Sequence, residues 1–75
     1  MAKLPQFSGP EVVRRLKRLG FEEDHRKGGH VVLRHPVTMA STDVPCHGSR
    51  PVKKGTLHAI LKQAGITVEQ FIEAN

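Results

Sequence analysis

Apolar residues return every three or four positions at Val12, Val13, Leu16 and Leu19, and basic residues fill the gaps between them. That spacing predicts a helix over residues 9–19, with Arg14, Arg15, Lys17 and Arg18 on the face turned away from the core. Ser8-Gly9-Pro10-Glu11 is a strong start for it. Ser8 can cap, Pro10 tolerates an early helical position, and Glu11 stands three residues after the serine as in a capping box. Gly20 ends the pattern as a left-handed cap, with Phe21 placed to fold back onto the helix. The basic residues also suit the negative end of the helix dipole.

The period then changes. Phe21 to Arg26 is polar for a strand, but Lys27-Gly28-Gly29 reads as a hairpin turn, and His30 to His35 reads as its partner strand. Residues 36–39 form a loop, and Ala40 to Cys46 is a third strand ended by Pro45 and Gly48. Residues 47–54, HGSRPVKK, make a basic loop. Leu57, Ile60 and Leu61 return to helical spacing within Thr56 to Ala64, and Gly65 closes that helix. Thr67-Val68-Glu69-Gln70 is a second capping-box pattern, opening a short last helix through Phe71 and Ile72. The fold class is α+β: helix, three-stranded antiparallel sheet, helix and a short C-terminal helix. Both main helices are expected on one face of the sheet, and residues 1–75 form a single domain.

Alternation along the strands sorts the side chains. If Val31 and Leu33 point into the core, then His30, Val32 and Arg34 point outward. In the third strand Val44 and Cys46 would point inward, which leaves Asp43 and His47 on the open side. Parity thus gathers His30, Arg34, Asp43 and His47 on one solvent face, provided the register does not slip by a residue.

Charge gives that face a direction. Twelve Lys and Arg against seven Asp and Glu leave a formal charge of +5 on 75 residues, a dense field that favours an anionic partner. Arg26, Lys27, Arg34, Lys53 and Lys54 are the expected phosphate contacts. Lys53 and Lys54 directly precede a helix beginning near Gly55, whose free amides already attract anions. The five histidines invite a metal reading, but His25, His30, His35, His47 and Cys46 match no closed zinc spacing. Their cationic neighbours would also repel a dication, so neither metal nor cofactor is expected. The single cysteine excludes an internal disulfide and fits a reducing cytoplasm. MAKLPQF at the start holds no apolar core of signal-peptide length, and no stretch approaches the length that spans a bilayer. A cytoplasmic protein with no membrane association is expected.

Four segments together resemble a known family: SGPEVVRRLKRLGFE (8–22), RKGGHVVLRHP (26–36), VPCH (44–47) and KKGTLHAILKQAGITVEQF (53–71). In that order they are similar to the HicA toxins, small messenger-RNA interferases of bacterial and archaeal toxin–antitoxin systems. The resemblance implies a fold like that of the double-stranded-RNA-binding domain. It also implies a functional histidine that follows a glycine and a small polar residue. The matching histidine is His30, but the residue before it is Gly29, which removes a side-chain hydrogen-bonding group beside the imidazole.

On the same resemblance the activity is metal-independent endoribonuclease cleavage of messenger RNA. His30 would act as general base on a ribose 2′-hydroxyl or as acid on the leaving oxygen. Lys27, with Lys53 and Lys54, would stabilise phosphoryl charge, and His47, which parity puts on the same face, is the candidate for a second, accessory proton-transfer group. A HicB-like antitoxin is the implied protein partner, with no DNA bound by this chain alone. Two other readings suit the same charge and fold: a non-catalytic RNA-binding module, and a protein-interaction domain for an acidic partner. Phe7, Phe21 and Phe71 are better placed as packing residues than as base-stacking platforms.

Overall fold

The structure, a computed structural model, describes residues 5–74. Met1–Leu4, part of the segment read above for a signal peptide, lie outside the described residues. In chain order the elements are α1 (Gly9–Arg18), β1 (Glu22–Lys27), β2 (His30–Arg34), β3 (Ser41–Pro45), α2 (Lys54–Ala64) and α3 (Val68–Glu73). The three strands form one antiparallel meander in the order β1-β2-β3.

Ser8 caps α1 as its sequence predicts, accepting a hydrogen bond from the Glu11 amide at 3.3 Å. Glu11, however, does not reach back to complete the box. Its carboxylate is gripped by Arg14 at 2.7 and 2.8 Å and by Arg15 at 3.2 Å, since charged guanidinium donors outcompete one backbone amide. These contacts, Arg14 first, hold the Glu11 carboxyl down to about 2 from 4.5. At the other end, the Phe21 amide bonds the Leu16 carbonyl and the Gly20 amide bonds that of Lys17. That is a Schellman closure, and it delivers Phe21 into the core.

The core lies between the helices and one face of the sheet. Val12, Leu16, Val31, Leu33, Val44, Leu57 and Phe71 are fully buried. Val31 opposes Val44 and Leu33 opposes Thr42 across β2 and β3, so the inward set expected from alternation is the one buried. Thr42 is buried too, its hydroxyl donating to Gln63 of α2 at 3.0 Å. α1 and α2 therefore cover the same face.

Arg15 departs from the expected solvated face. It is buried, with its guanidinium 4.6 Å from the Phe7 ring centre and 5.7 Å from that of Phe71. It donates to the carbonyls of Phe71 and Ile72 at 3.2 and 2.7 Å. The two rings meet edge-on at 5.0 Å, so one cation ties α1, the N-terminal segment and α3 together. The physical reason is that the carbonyls at the C-terminal end of α3 keep lone pairs, and the negative end of its dipole, where a cation on α1 can reach them. α3 itself starts on the complete Thr67–Gln70 capping box.

β1 is exposed along its whole length. EEDHRK forms a strand because β2 supplies the ladder and the two-glycine turn supplies the reversal. A bulge at Asp24 and the row of charges protect this open edge. Lys27, expected in the turn, is instead the last residue of β1 and pairs with His30. Likewise Lys54, expected to precede the helix, is its first residue, with Lys53 as the N-cap.

Candidate active site

The site begins with the turn. Gly28 has φ of +60° while Gly29 has no positive φ, the sign pattern of a type II′ hairpin, for which glycine at the first central position is favoured. This reversal sets His30 at the start of β2 with its side chain on the open face. The sheet's register puts Val32 opposite Asp43 and His30 opposite Pro45. His30 and Asp43 are thus diagonal neighbours on that face, within reach of one another.

They meet at 2.7 Å, from His30 Nδ1 to Asp43 Oδ1. A carboxylate only accepts, so the imidazole donates through Nδ1, and its Nε2 lone pair is left for another proton. The side chains of His30 and Asp43 remain 48% and 56% exposed. The pair is therefore open to an incoming chain rather than enclosed.

His47 completes the cluster. Its ring stands edge-on to His30, with centres 5.9 Å apart. It also lies over the turn: a Cβ at position 29 would come within 2.7 Å of His47 Cε1 and 2.9 Å of Nδ1. Gly29 is what makes room for this second imidazole. The Cys46 amide donates to the Gly29 carbonyl at 2.6 Å, which fixes the His47 segment against the turn. Cys46 is half-buried, and burial pushes its thiol up, away from a reactive thiolate.

Two of the other three histidines have other occupations. His35 Nδ1 accepts from the amides of Val37 and Thr38 at 3.1 and 3.2 Å, holding the β2–β3 loop, while its ring packs edge-on against Phe21. His25 pairs with Asp24 at 2.8 Å on β1. Among the described residues, no group of three or more His, Cys, Asp or Glu is arranged to hold a metal ion.

The expected phosphate contacts divide into two sets. Lys27 stands directly across from His30, and Lys53 lines the same cleft as His47. Among the described residues Lys27, Lys53 and Lys54 make no ion pair. Arg26, by contrast, is bound by Glu23 through both its Nε and an Nη, at 3.0 and 3.2 Å. Each member of that pair shifts the other's titration, Glu23 downward and Arg26 upward. Arg34 sits at the far end of β2 opposite Glu22. The structure therefore brings His30, His47 and Lys27 together with Asp43 and leaves Arg26 and Arg34 outside that group. Asp43 was placed on the right face by alternation but given no task. Its diagonal position to His30 follows only from the β2–β3 register, which alternation does not give.

A capped helix, an antiparallel meander and a second helix, with a carboxylate-held imidazole on the open sheet face, define a small basic α+β domain of the double-stranded-RNA-binding-domain layout. Residues 9–66 match the family described as the HicA toxin of bacterial toxin–antitoxin systems, and the chain belongs to that family. Its class is thus that of toxins which act in pairs with an antitoxin. A search of curated proteins finds no match. Among the described residues, no helix is long and apolar enough to cross a membrane.

Proposed function

We propose that this protein is the toxin of a type II toxin–antitoxin pair and cleaves messenger RNA as a metal-independent endoribonuclease. The observation that carries the reading is the 2.7 Å bond from His30 to Asp43, which leaves Nε2 of an exposed imidazole free to take a proton. His30 accepts the proton of a ribose 2′-hydroxyl as the 2′-oxygen attacks the adjacent phosphorus. The bond from phosphorus to the 5′-oxygen breaks, and that oxygen leaves with a proton from His47. The products are a 2′,3′-cyclic phosphate, open to later hydrolysis, and a 5′-hydroxyl end.

Lys27 and Lys53 neutralise charge that builds on the phosphoryl oxygens, and Lys54 and Arg34 extend the positive surface to flanking phosphates. Asp43 is a positioning residue: it keeps Nδ1 protonated, so the reacting nitrogen is Nε2. A HicB-like antitoxin acting in the cytoplasm would inhibit by covering this open face.

The test is end-group analysis of RNA incubated with the purified protein in the presence of a chelator. Cyclic or 3′-phosphate together with 5′-hydroxyl ends supports the reaction. Products bearing 5′-phosphate would refute attack by the 2′-oxygen. RNA that binds yet stays intact would instead establish a non-catalytic RNA-binding module.

A further inference from the structure

The sequence holds neither Trp nor Tyr, and its phenylalanines pack inward, with Phe21 and Phe71 buried and Phe7 half-buried against the core. The bases of a bound RNA therefore lack the aromatic platforms that usually hold them. One feature beside the imidazole pair supplies a substitute. A cleft of about 340 Å³ opens from His47 along the 45–56 segment, between the end of β3 and the first turn of α2. Its walls are the rings of Pro45 and Pro51 and the buried Val52, and its polar groups come from Arg50, Lys53 and Thr56.

We infer that this cleft is a nucleotide subsite that holds the residue of single-stranded RNA next to the bond being cut. The inference rests on RNA being the substrate and names how the chain is gripped. The volume lies at the lower end for small-molecule sites, which suits one nucleotide and excludes a base-paired stem. Flat apolar walls can sandwich a base as other nucleic-acid enzymes do with apolar side chains. Arg50 and Lys53 lie on the polar side with no carboxylate lining the cleft among the described residues, so the charge complements a phosphate.

The cleft is also preformed. Val52 donates to the Phe7 carbonyl at 2.7 Å, Arg50 to that of His47 at 3.2 Å, and Pro51 bridges Ser8. Because His47 both lines it and stands 5.9 Å from His30, a base seated there sets its own phosphate before the two imidazoles. Base choice would then be made by the Thr56 hydroxyl and the Arg50 guanidinium at the base edge.

Amide-detected NMR titration of the full chain tests this with a 2′-O-methyl trinucleotide, which cannot be cleaved, and separately with inorganic phosphate. Amides of Val52, Lys53 and Thr56 are expected to shift together with that of His30. Saturation should need about tenfold less trinucleotide than phosphate, given the gain typical of seating one base. Thr56→Glu, tolerated in a first helical turn, and Arg50→Ala should each weaken trinucleotide binding about fivefold or more. Shifts confined to β2 and β3, equal potency of phosphate, or unchanged binding in both variants would overturn the subsite. If the cleft binds the trinucleotide but unmodified RNA is never cut, the subsite stands and the cleavage reaction fails.

Discussion

Gly29→Ala introduces a single methyl group at the most crowded point of the site. The new Cβ would sit 2.7 Å from His47 Cε1 and 2.9 Å from Nδ1, with the Cys46 carbonyl at an ordinary 3.7 Å. Carbon atoms prefer separations of about 3.5–4.0 Å, so the ring must withdraw by roughly 1 Å. It can do so, because His47 is exposed and holding its side chain about 30° off a rotamer costs about 0.5–1.5 kcal/mol. The backbone at position 29 has no positive φ, so alanine fits without strain and gains about 0.4–1 kcal/mol by restricting the unfolded chain.

These contributions nearly cancel. The melting temperature should stay within about 5 °C of the parent, at 4–8 °C per kcal/mol for a domain of this size. Cleavage should not be preserved. Losing a proton-transfer group costs about 10²–10⁴-fold, and displacing one without deleting it should cost less than that, about 10–10²-fold. Gly29→Ala, His47→Ala and the double variant are compared with a fluorogenic RNA substrate, with melting measured by circular dichroism. The double variant should be no worse than His47→Ala, since both changes remove the same group. Full activity in Gly29→Ala, with His47 shown by NMR to have moved, would refute a catalytic part for His47.

Arg15→Met keeps the apolar stem but loses the hydrogen bonds to the Phe71 and Ile72 carbonyls. The expected cost is about 2–4 kcal/mol, a fall in melting temperature of roughly 10–25 °C, with cleavage per folded molecule unchanged; a melting curve like the parent's would contradict this. For Glu11, the folded value of about 2 lies below the ordinary 4.5. The stability it contributes is present above about pH 4.5 and is lost as pH falls toward 2. Glu11→Gln should therefore flatten the dependence of melting temperature on pH in that window, and an unaltered slope would show that Arg14 and Arg15 do not hold the carboxyl down in solution. Lys53→Ala should weaken RNA binding for all sequences alike and reduce the slope of log affinity against log salt by about 1, whereas an unchanged slope would remove Lys53 from the phosphate path.

Local signals made the architecture readable. Ser8, Gly20, Gly65 and the Thr67–Gln70 box mark helix ends through contacts only a few residues long, and alternation in HVVLR and STDVP sorts one face from the other. β1 was harder, because six exposed polar residues carry no alternation and form a strand only by pairing with β2. Arg15 was misplaced on the solvated face because its partners Phe71 and Ile72 lie more than 50 positions away, beyond any helical period. Within the site, His30 and His47 were placed on one face by parity. The task of Asp43 was not visible, since it depends on the register between β2 and β3. Nor was the role of Gly29 visible. Its missing side chain matters only because the His47 ring fills that space. The neutralisation of Arg26 by Glu23 likewise depends on how the edge strand directs its side chains.

Induced expression of His30→Ala beside the parent protein, with RNA cleavage by both purified chains, tests the central claim most directly. Replacing an exposed side chain at the start of β2 should leave the fold and melting temperature intact, while removal of the general base should slow cleavage about 10²–10⁴-fold and abolish growth arrest. A folded His30→Ala chain that cuts RNA as fast as the parent, or that arrests growth equally, would contradict it.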